Sequence, residues 1–177
     1  LIIPEIIRTY RLTLTAAGTF QYATMTGIAL AGLLLGQLAD RFGRRPTIVA
    51  GLTLFAAACF LLAAGDTLPV FAMLMGLSGI AIGVFKTGAL ALIGDISRST
   101  AQHTSIMNTA EGFFGVGAII GPALLARLLA AGLSWTWLYV IAGVICLALI
   151  ALALLVRYPA AVRPARGGGF AGTGRAM

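Results

Sequence analysis

Charged side chains are scarce in this sequence, and long apolar runs take their place. Only 10% of the 177 residues are Asp, Glu, Lys or Arg, whereas an ordinary soluble domain has about 25%. Hydrophobic residues make up 60% of the chain, and its mean hydropathy is +1.02. A domain of this size cannot remove so much apolar surface from water by folding on itself. The composition therefore argues against a soluble protein and favours one that lies in a lipid bilayer.

Residues that carry metal, redox or catalytic chemistry are also few. The two cysteines, Cys59 and Cys146, lie inside apolar runs, where we expect them to pack as small hydrophobic side chains. His103 is the single histidine, and no His/Cys cluster has the spacing of a metal site. We therefore expect no metal, no cofactor and no enzymatic activity. The net charge of +7 does not indicate a nucleic-acid partner, because the arginines are scattered between apolar runs.

Five apolar stretches are long enough to cross a bilayer, which takes about 20 residues of helix. The predicted helices cover residues 14–38, 47–64, 69–94, 105–131 and 135–156. Their short connections make successive helices antiparallel neighbours. The sequence thus predicts an all-α, polytopic membrane helix bundle over residues 1–158. Residues 159–177, rich in Gly and Arg, are interpreted as a flexible cytoplasmic tail or the start of a loop to further helices.

The arginines predict how the bundle is oriented. Most of them fall on one side of the predicted topology: Arg41, Arg44, Arg45, Arg98, Arg157, Arg163, Arg166 and Arg175. The positive-inside rule places loop 39–46 and the C-terminal tail in the cytoplasm of a multi-pass inner-membrane protein. Trp135, Trp137 and Tyr139 then mark the outer interface. Leu1 would lie outside, so "LIIP" is interpreted as the last turn of a preceding helix, most of which is missing from a six-helix unit.

A basic motif stands between the first two predicted helices. In "GQLADRFGRRP", eight positions match the pattern G-x-L-a-D-r-x-G-R-r-p: Gly36, Leu38, Asp40, Arg41, Gly43, Arg44, Arg45 and Pro46. This motif, in this connection, resembles the signature of the major facilitator superfamily. The resemblance extends to about Tyr158 and implies the N-terminal half of a twelve-helix transporter that works by alternating access. Its implied partners are a small-molecule substrate, the lipid bilayer and a missing C-terminal six-helix half.

The resemblance also implies roles for the residues of this motif. Asp40 and Arg44 would belong to a charge cluster that latches the two halves together in the outward-facing state. Gly36, Arg41 and Arg45 lie in the same gating segment. The residues themselves indicate that Gly43 permits a backbone turn and that the arginines anchor the segment at the membrane surface. The alternative is that these charges only set topology and cap helices.

A second motif concerns the type of transport. In "GVGAIIGP", Gly117, Gly121 and Pro122 resemble the core of a motif of family drug antiporters, which ends in two further glycines where this chain has Leu125 and Ala126. Plain helix packing with a proline kink is the alternative. The longer run "SIMNTAEGFFGVGAIIGP" is closer to the fucose-permease-like branch of proton-coupled sugar transporters. Ser105, Asn108, Phe113, Phe114, Gly115, Gly117 and Pro122 carry that likeness.

Two charged residues fall inside predicted membrane helices, where charges are costly and usually functional. Lys86 and Glu111 each lie roughly 10 Å from the same membrane face, counted at 1.5 Å per residue. We expect them to approach each other and, with Asn108, to form a substrate or proton-coupling site. The alternatives are a structural ion pair and a Lys86 that reaches the interface. Gln21 is a further candidate for the substrate site, with Tyr22 and Thr24 near it, or else these residues bond neighbouring helices.

The acidic residue of "GDISRS" has two possible partners. Asp95 either pairs with Arg98 at the membrane surface or contacts the 40–45 segment and supports the latch. For the whole chain, the leading interpretation is a secondary active transporter of a small polar solute, with a sugar and protons as its cargo. The alternatives are a drug or metabolite efflux antiporter, a non-transporting truncated remnant, and a membrane assembly or sensor protein on the same scaffold.

Overall fold

The computed structural model describes residues 2–35, 37–65 and 67–158. Gly36 and the predicted tail, residues 159–177, lie outside the described residues. Within the described ranges the fold is all-α, as the sequence predicts, and no strand occurs there. Its helices are α1 (Ile2–Tyr10), α2 (Leu14–Leu35), α3 (Leu38–Phe42), α4 (Arg44–Ala64), α5 (Leu68–Ile96), α6 (Thr100–Ala130) and α7 (Trp137–Leu155).

Five of these helices, α2 and α4 to α7, are long and apolar enough to cross a membrane. Their ends differ by a few residues from those predicted, because hydropathy does not register the polar first turn of a helix. The predicted start at Ser105 is the clearest case, since α6 begins five residues earlier, at Thr100. Its N-cap is Ser99, whose side chain accepts a hydrogen bond from the backbone N–H of Gln102 at 3.2 Å. Such a cap satisfies a donor that the first turn leaves free.

The motif segment contains a short helix of its own rather than a loop. The predicted helix over residues 14–38 ends at Leu35, and Asp40 lies on α3. A break follows at Gly43, which has φ +97° and ψ 162°. Only glycine adopts this backbone region without strain. Gly43 therefore separates α3 from α4 and sets the direction in which α4 enters the bundle.

Helices α2 and α5 pack backbone to backbone through glycines. A Cβ on Gly27 would lie 2.5 Å from the carbonyl oxygen of Gly76, and a Cβ on Gly79 would clash with the carbonyl oxygen of Thr24. The Thr24 hydroxyl donates to the carbonyl oxygen of Met75 at 3.3 Å. Small residues allow this close approach, which is the usual way in which helices associate in membranes.

Helix α4 lies between α5 and α7 and carries much of the buried surface. Its Gly51 faces the backbone of Phe85 on α5, and the ring of Phe60 covers Gly143 on α7. Ile48, Leu52, Ala56, Cys146 and Ala153 form the buried cluster between these helices. Both cysteines are buried and free, in line with packing as hydrophobic side chains.

An aromatic cluster closes one end of the bundle, called here the aromatic end. The ring of Phe71 contacts Tyr10, Phe20 and Trp135 at centroid distances of 5.6, 5.4 and 5.9 Å. Trp135 is only 6% exposed, and its indole N–H donates to the Thr9 hydroxyl at 3.1 Å. It therefore ties α1 to the segment that precedes α7. Trp137, two residues on, is exposed.

Helix α6 lies at the edge of the bundle, and most of its surface is open. Leu125 is its one buried residue within the described part of the chain, and it packs into the aromatic end. The middle of the helix, from Asn108 to Ile120, is exposed along its whole length. The end of the bundle opposite the aromatic cluster holds α3, the start of α4 and the ends of α5 and α7, and is called here the motif end.

Candidate functional site

An ion pair between two helices forms the centre of the motif end. Arg44, the first residue of α4, directs its Nε to Asp95 Oδ2 at 2.7 Å and its second terminal nitrogen to Oδ1 at 3.3 Å. The side chains are 12% and 11% exposed, so little water competes for them. Two parallel N–H···O bonds from one guanidinium are a strong and directional form of ion pair. The pair fixes the start of α4 to the end of α5.

Each partner of this pair stands at the helix end that disfavours its charge. A cation at a helix N-terminus and an anion at a C-terminus both oppose the helix dipole. Arg44 is the first residue of α4 and Asp95 the second to last of α5. Their contact neutralises both charges. Neither α3 nor α4 has a side-chain cap, so the structure gives no support to the helix-capping alternative.

The same guanidinium also holds Asp40. Its Nη1 donates to Asp40 Oδ1 from one turn further along the chain, across the Gly43 break. The Asp40 side chain is 70% exposed, in contrast to Asp95. Arg44 thus joins α3, α4 and α5, with one partner shielded from solvent and the other open to it.

Arg45 ties a fourth helix to this cluster. Its guanidinium donates to the carbonyl oxygen of Leu154 in the last turn of α7. Carbonyl groups at a helix C-terminus are free to accept, and a cation there is favoured by the dipole. Arg41 is exposed, and no ion pair holds it among the described residues.

Asp95 is the residue of this cluster that the sequence alone did not assign. Two partners were considered for it, Arg98 and the 40–45 segment, and the structure shows that it pairs with Arg44 of that segment. Arg98 is exposed, and no ion pair holds it in the described ranges. The available signal was an acidic residue in the last turn of an apolar helix. Its position against the helix dipole calls for a nearby cation.

Lys86 and Glu111 line a single cavity between α5 and α6. The cavity has a volume of about 290 Å³, and Phe85, Met107 and Phe114 contribute to its walls. The two charges do not form an ion pair, and both side chains are exposed in this chain. A structural ion pair therefore receives no support, whereas the geometry is compatible with a shared, accessible site in which two charged groups face an otherwise apolar cavity.

The other predicted site residues are distributed over two helices. Asn108 lies one turn before Glu111 on the exposed face of α6, and Gln21 is exposed on α2. Thr24 donates a hydrogen bond to Met75 on α5, which agrees with the alternative that the polar residues of α2 bond a neighbouring helix. Gly117 and Gly121 have no atom within 4 Å of the place that a Cβ would take, and α6 stays helical through Pro122. Any helix that packs against these glycines comes from outside the described residues.

No metal site is found in the described part of the chain, where no group of three or more His, Cys, Asp or Glu side chains comes together. The family can be decided on the sequence as a whole: the model of the Major Facilitator Superfamily matches residues 1–174. The chain belongs to the Major Facilitator Superfamily. It is thus a multi-pass integral membrane protein from a family of transporters and not of enzymes.

Curated relatives of this chain do not share one cargo by name. The multidrug transporter protein MdtP of Bacillus subtilis (strain 168) is 30% identical over 124 residues, which are 68% of this chain and 23% of MdtP. The TsgA homolog of Erwinia tasmaniensis is 27% identical over 143 residues, 81% of this chain and 36% of that protein. Organic anion transporter 3 of Homo sapiens is 32% identical over 115 residues, 64% of this chain and 20% of the transporter.

The chain therefore spans between 20% and 36% of the length of these relatives. Two of these three relatives are transporters by name. The names of these relatives mention neither a sugar nor symport with protons. They also give no support to the fucose-permease-like branch.

Proposed function

We propose that this chain forms the N-terminal half of a secondary active transporter that moves a small polar solute together with protons by alternating access. The observation that carries the proposal is the cavity shared by Lys86 and Glu111, two charged side chains within membrane-spanning helices. Charges at membrane depth are costly and mark substrate or proton pathways. A carboxylate can carry the proton, and an ammonium group with Asn108 can bind hydroxyl groups of a sugar.

The exposed face of α6 supports this assignment of the pathway. Asn108, Glu111 and Gly115 lie on one side of this helix, and nothing packs against the glycine. In the proposed transporter, a second six-helix half lies across from this face, and the substrate binds between the two halves. Gln21, exposed on α2, would contribute from the first half.

The charge cluster at the motif end is proposed to act as the latch between the halves. Asp40 is the partner free to contact a second half, because it is largely exposed while Asp95 is enclosed. We place this end, with segment 39–46 and the C-terminal tail, on the cytoplasmic side of the inner membrane, since the arginines cluster there. Asp40→Asn should shift the conformational balance inward and impair transport while leaving membrane insertion intact. Transport at the wild-type rate in this variant would contradict the latch role.

Proton coupling can be tested with the full-length protein in proteoliposomes that enclose a pH-sensitive dye. Addition of a sugar outside should acidify the interior, because a symporter moves substrate and protons in the same direction. This sign does not depend on the orientation of the protein in the vesicle. In Glu111→Gln the acidification should be lost. The control is Glu5→Gln, since Glu5 lies on α1 and pairs with Arg8 at 3.5 Å, away from the cavity.

An efflux antiporter is the second candidate, favoured by one specific finding. MdtP, whose name describes a multidrug transporter, aligns with 68% of this chain at 30% identity. An antiporter exchanges substrate for protons, so addition of the substrate outside would make the vesicle interior more alkaline. A lipophilic cation that alkalinises the interior, with no response to sugars, would replace the symport proposal by this one. Absence of any pH change with either substrate would contradict both.

A further inference from the structure

A groove at the motif end lies beside the proposed transport pathway, with the Phe85 side chain between them. It lies between α4, α5 and α7 and has a volume of about 380 Å³, within the range of roughly 300–1,000 Å³ for small-molecule pockets. Its walls are almost entirely apolar and include Ile48, Leu52, Phe85, Leu92, Leu149 and Leu152. Lys86 and Glu111 do not line it. A site with such walls can hold a hydrocarbon chain.

The mouth of this groove has a different character from its walls. Arg157 and Tyr158 line it just beyond the end of α7. Arg45 does not line the groove but lies beside it, because its guanidinium bonds the carbonyl oxygen of Leu154, between the lining residues Ala153 and Val156. An apolar groove therefore opens at a rim that carries one arginine and one phenol, with a second arginine beside it.

The charge around this rim is positive and uncompensated. The described acidic residues of the motif end are Asp40 and Asp95, and Arg44 binds both. No ion pair holds Arg45 or Arg157 among the residues that the structure describes. Basic pockets between membrane helices attract anionic headgroups.

We infer that this groove binds an anionic phospholipid, with one acyl chain along the apolar walls and the phosphate between Arg45 and Arg157. The exposed side chains of Leu152, Val156 and Ile96 in the lining show that the groove opens outward, so that a lipid can enter from the bilayer. The tyrosine hydroxyl of Tyr158 is available to donate to the phosphate. A lipid here fastens the ends of α4 and α7 together. The inference does not depend on which solute the protein transports.

The test uses the full-length protein in nanodiscs of equal parts phosphatidylglycerol and phosphatidylcholine. Native mass spectrometry then counts the lipids that stay bound after release into detergent. The wild-type protein should retain phosphatidylglycerol in preference to phosphatidylcholine. Arg157→Gln should weaken this preference about five-fold, the effect of losing one basic residue near an anionic surface. Arg98→Gln is the matched control, because Arg98 is exposed at the same end but neither lines the groove nor bonds a residue beside its lining.

A second variant tests the apolar part of the site without changing any charge. Leu152→Trp places a larger side chain in the groove and should reduce retention of phosphatidylglycerol while both arginines remain. Leu152 is exposed, so the fold should tolerate the change. Equal effects of Arg157→Gln and Arg98→Gln, or undiminished retention in Leu152→Trp, would overturn the inference. A dimer that persists without phosphatidylglycerol and is lost in Leu152→Trp would also overturn it, since a second copy would then occupy the groove.

Discussion

At the scale of single residues, Arg44 holds two carboxylates that differ in their exposure to water. Asp95 is 11% exposed and Asp40 is 70% exposed. Water and salt screen an exposed pair, which typically stabilises a fold by about 0–1 kcal/mol. The shielded Asp95 should therefore stabilise the fold. The exposed Asp40 should be able to leave Arg44 and bind another group.

Asp95→Asn should lower the free energy of unfolding by about 1.5–3 kcal/mol, because charge-assisted hydrogen bonds to Arg44 are lost. Asp40→Asn should cost less than about 1 kcal/mol. Both are measured by unfolding the full-length protein in mixed micelles with increasing SDS. Arg98→Gln serves as the control, with a change within about 0.5 kcal/mol. Equal losses in the two aspartate variants would show that exposure does not separate their roles.

Gly43 is the residue whose backbone the motif depends on. At φ +97° and ψ 162°, any residue with a Cβ is strained by about 1–3 kcal/mol. Gly43→Ala should destabilise the protein by this amount, as seen in the same SDS titration. Gly18→Ala is the matched control, since Gly18 is helical and nothing lies within 4 Å of the added Cβ. An unchanged stability in Gly43→Ala would mean that this turn is not required by the fold.

At the scale of helices, α2 and α5 can cross closely because glycines without side chains stand at their contact. Gly79 is in contact with the backbone of Thr24, whereas Gly76 on the same helix has open space where its Cβ would lie. The sequence shows these two glycines as equivalent members of one smooth face. The tertiary structure distinguishes them, because only one of them points at the neighbouring backbone.

Gly79→Ala should therefore destabilise the protein by about 1–3 kcal/mol, since the backbones of α2 and α5 must move apart. Gly76→Ala should be neutral or stabilising by up to about 1 kcal/mol, because alanine favours the helix and meets nothing. The SDS titration of the two variants side by side gives the comparison. If Gly76→Ala cost as much as Gly79→Ala, the crossing would lie elsewhere along α5.

At the scale of the whole molecule, α6 leaves a polar face open at the edge of the bundle. Asn108 and Glu111 lie on that face together with the apolar Ile119, whereas the exposed side chains of α7 are almost all apolar. A polar face is expected along water, and an apolar one along lipid. The two exposed surfaces should thus differ in their access to a reagent that dissolves only in water.

This difference can be measured by cysteine labelling of the full-length protein, with Cys59 and Cys146 replaced by alanine. Asn108→Cys should react with a membrane-impermeant maleimide, and the transported substrate should slow the reaction. Leu147→Cys, exposed on α7, should stay unlabelled because lipid covers it. Labelling of Leu147→Cys at the rate of Asn108→Cys would contradict the assignment of α6 to the aqueous pathway.

Hydropathy located the membrane helices well and their ends less well. Lengths of apolar runs are properties of the chain itself, and a bilayer demands them of any spanning helix. Polar starts were missed at Ser99 and Thr100, where a cap extends α6 beyond its apolar part. Residue type predicts Trp135 at the outer interface but not its contacts, and the structure packs its ring against Phe71 and Tyr139.

The sequence by itself determined that this protein is an all-α membrane protein of the Major Facilitator Superfamily, because apolar length and the spacing of one motif are linear properties. The tertiary structure decided which charges meet. Arg44 finds Asp95 51 residues away, and Lys86 shares a cavity with Glu111 without pairing to it. These contacts depend on how each helix is rotated and tilted against its neighbours. Rotation and tilt are set by packing, chiefly at glycines such as Gly27 and Gly79. Hydropathy measures only how apolar a segment is, so it does not predict the rotation and tilt of a helix.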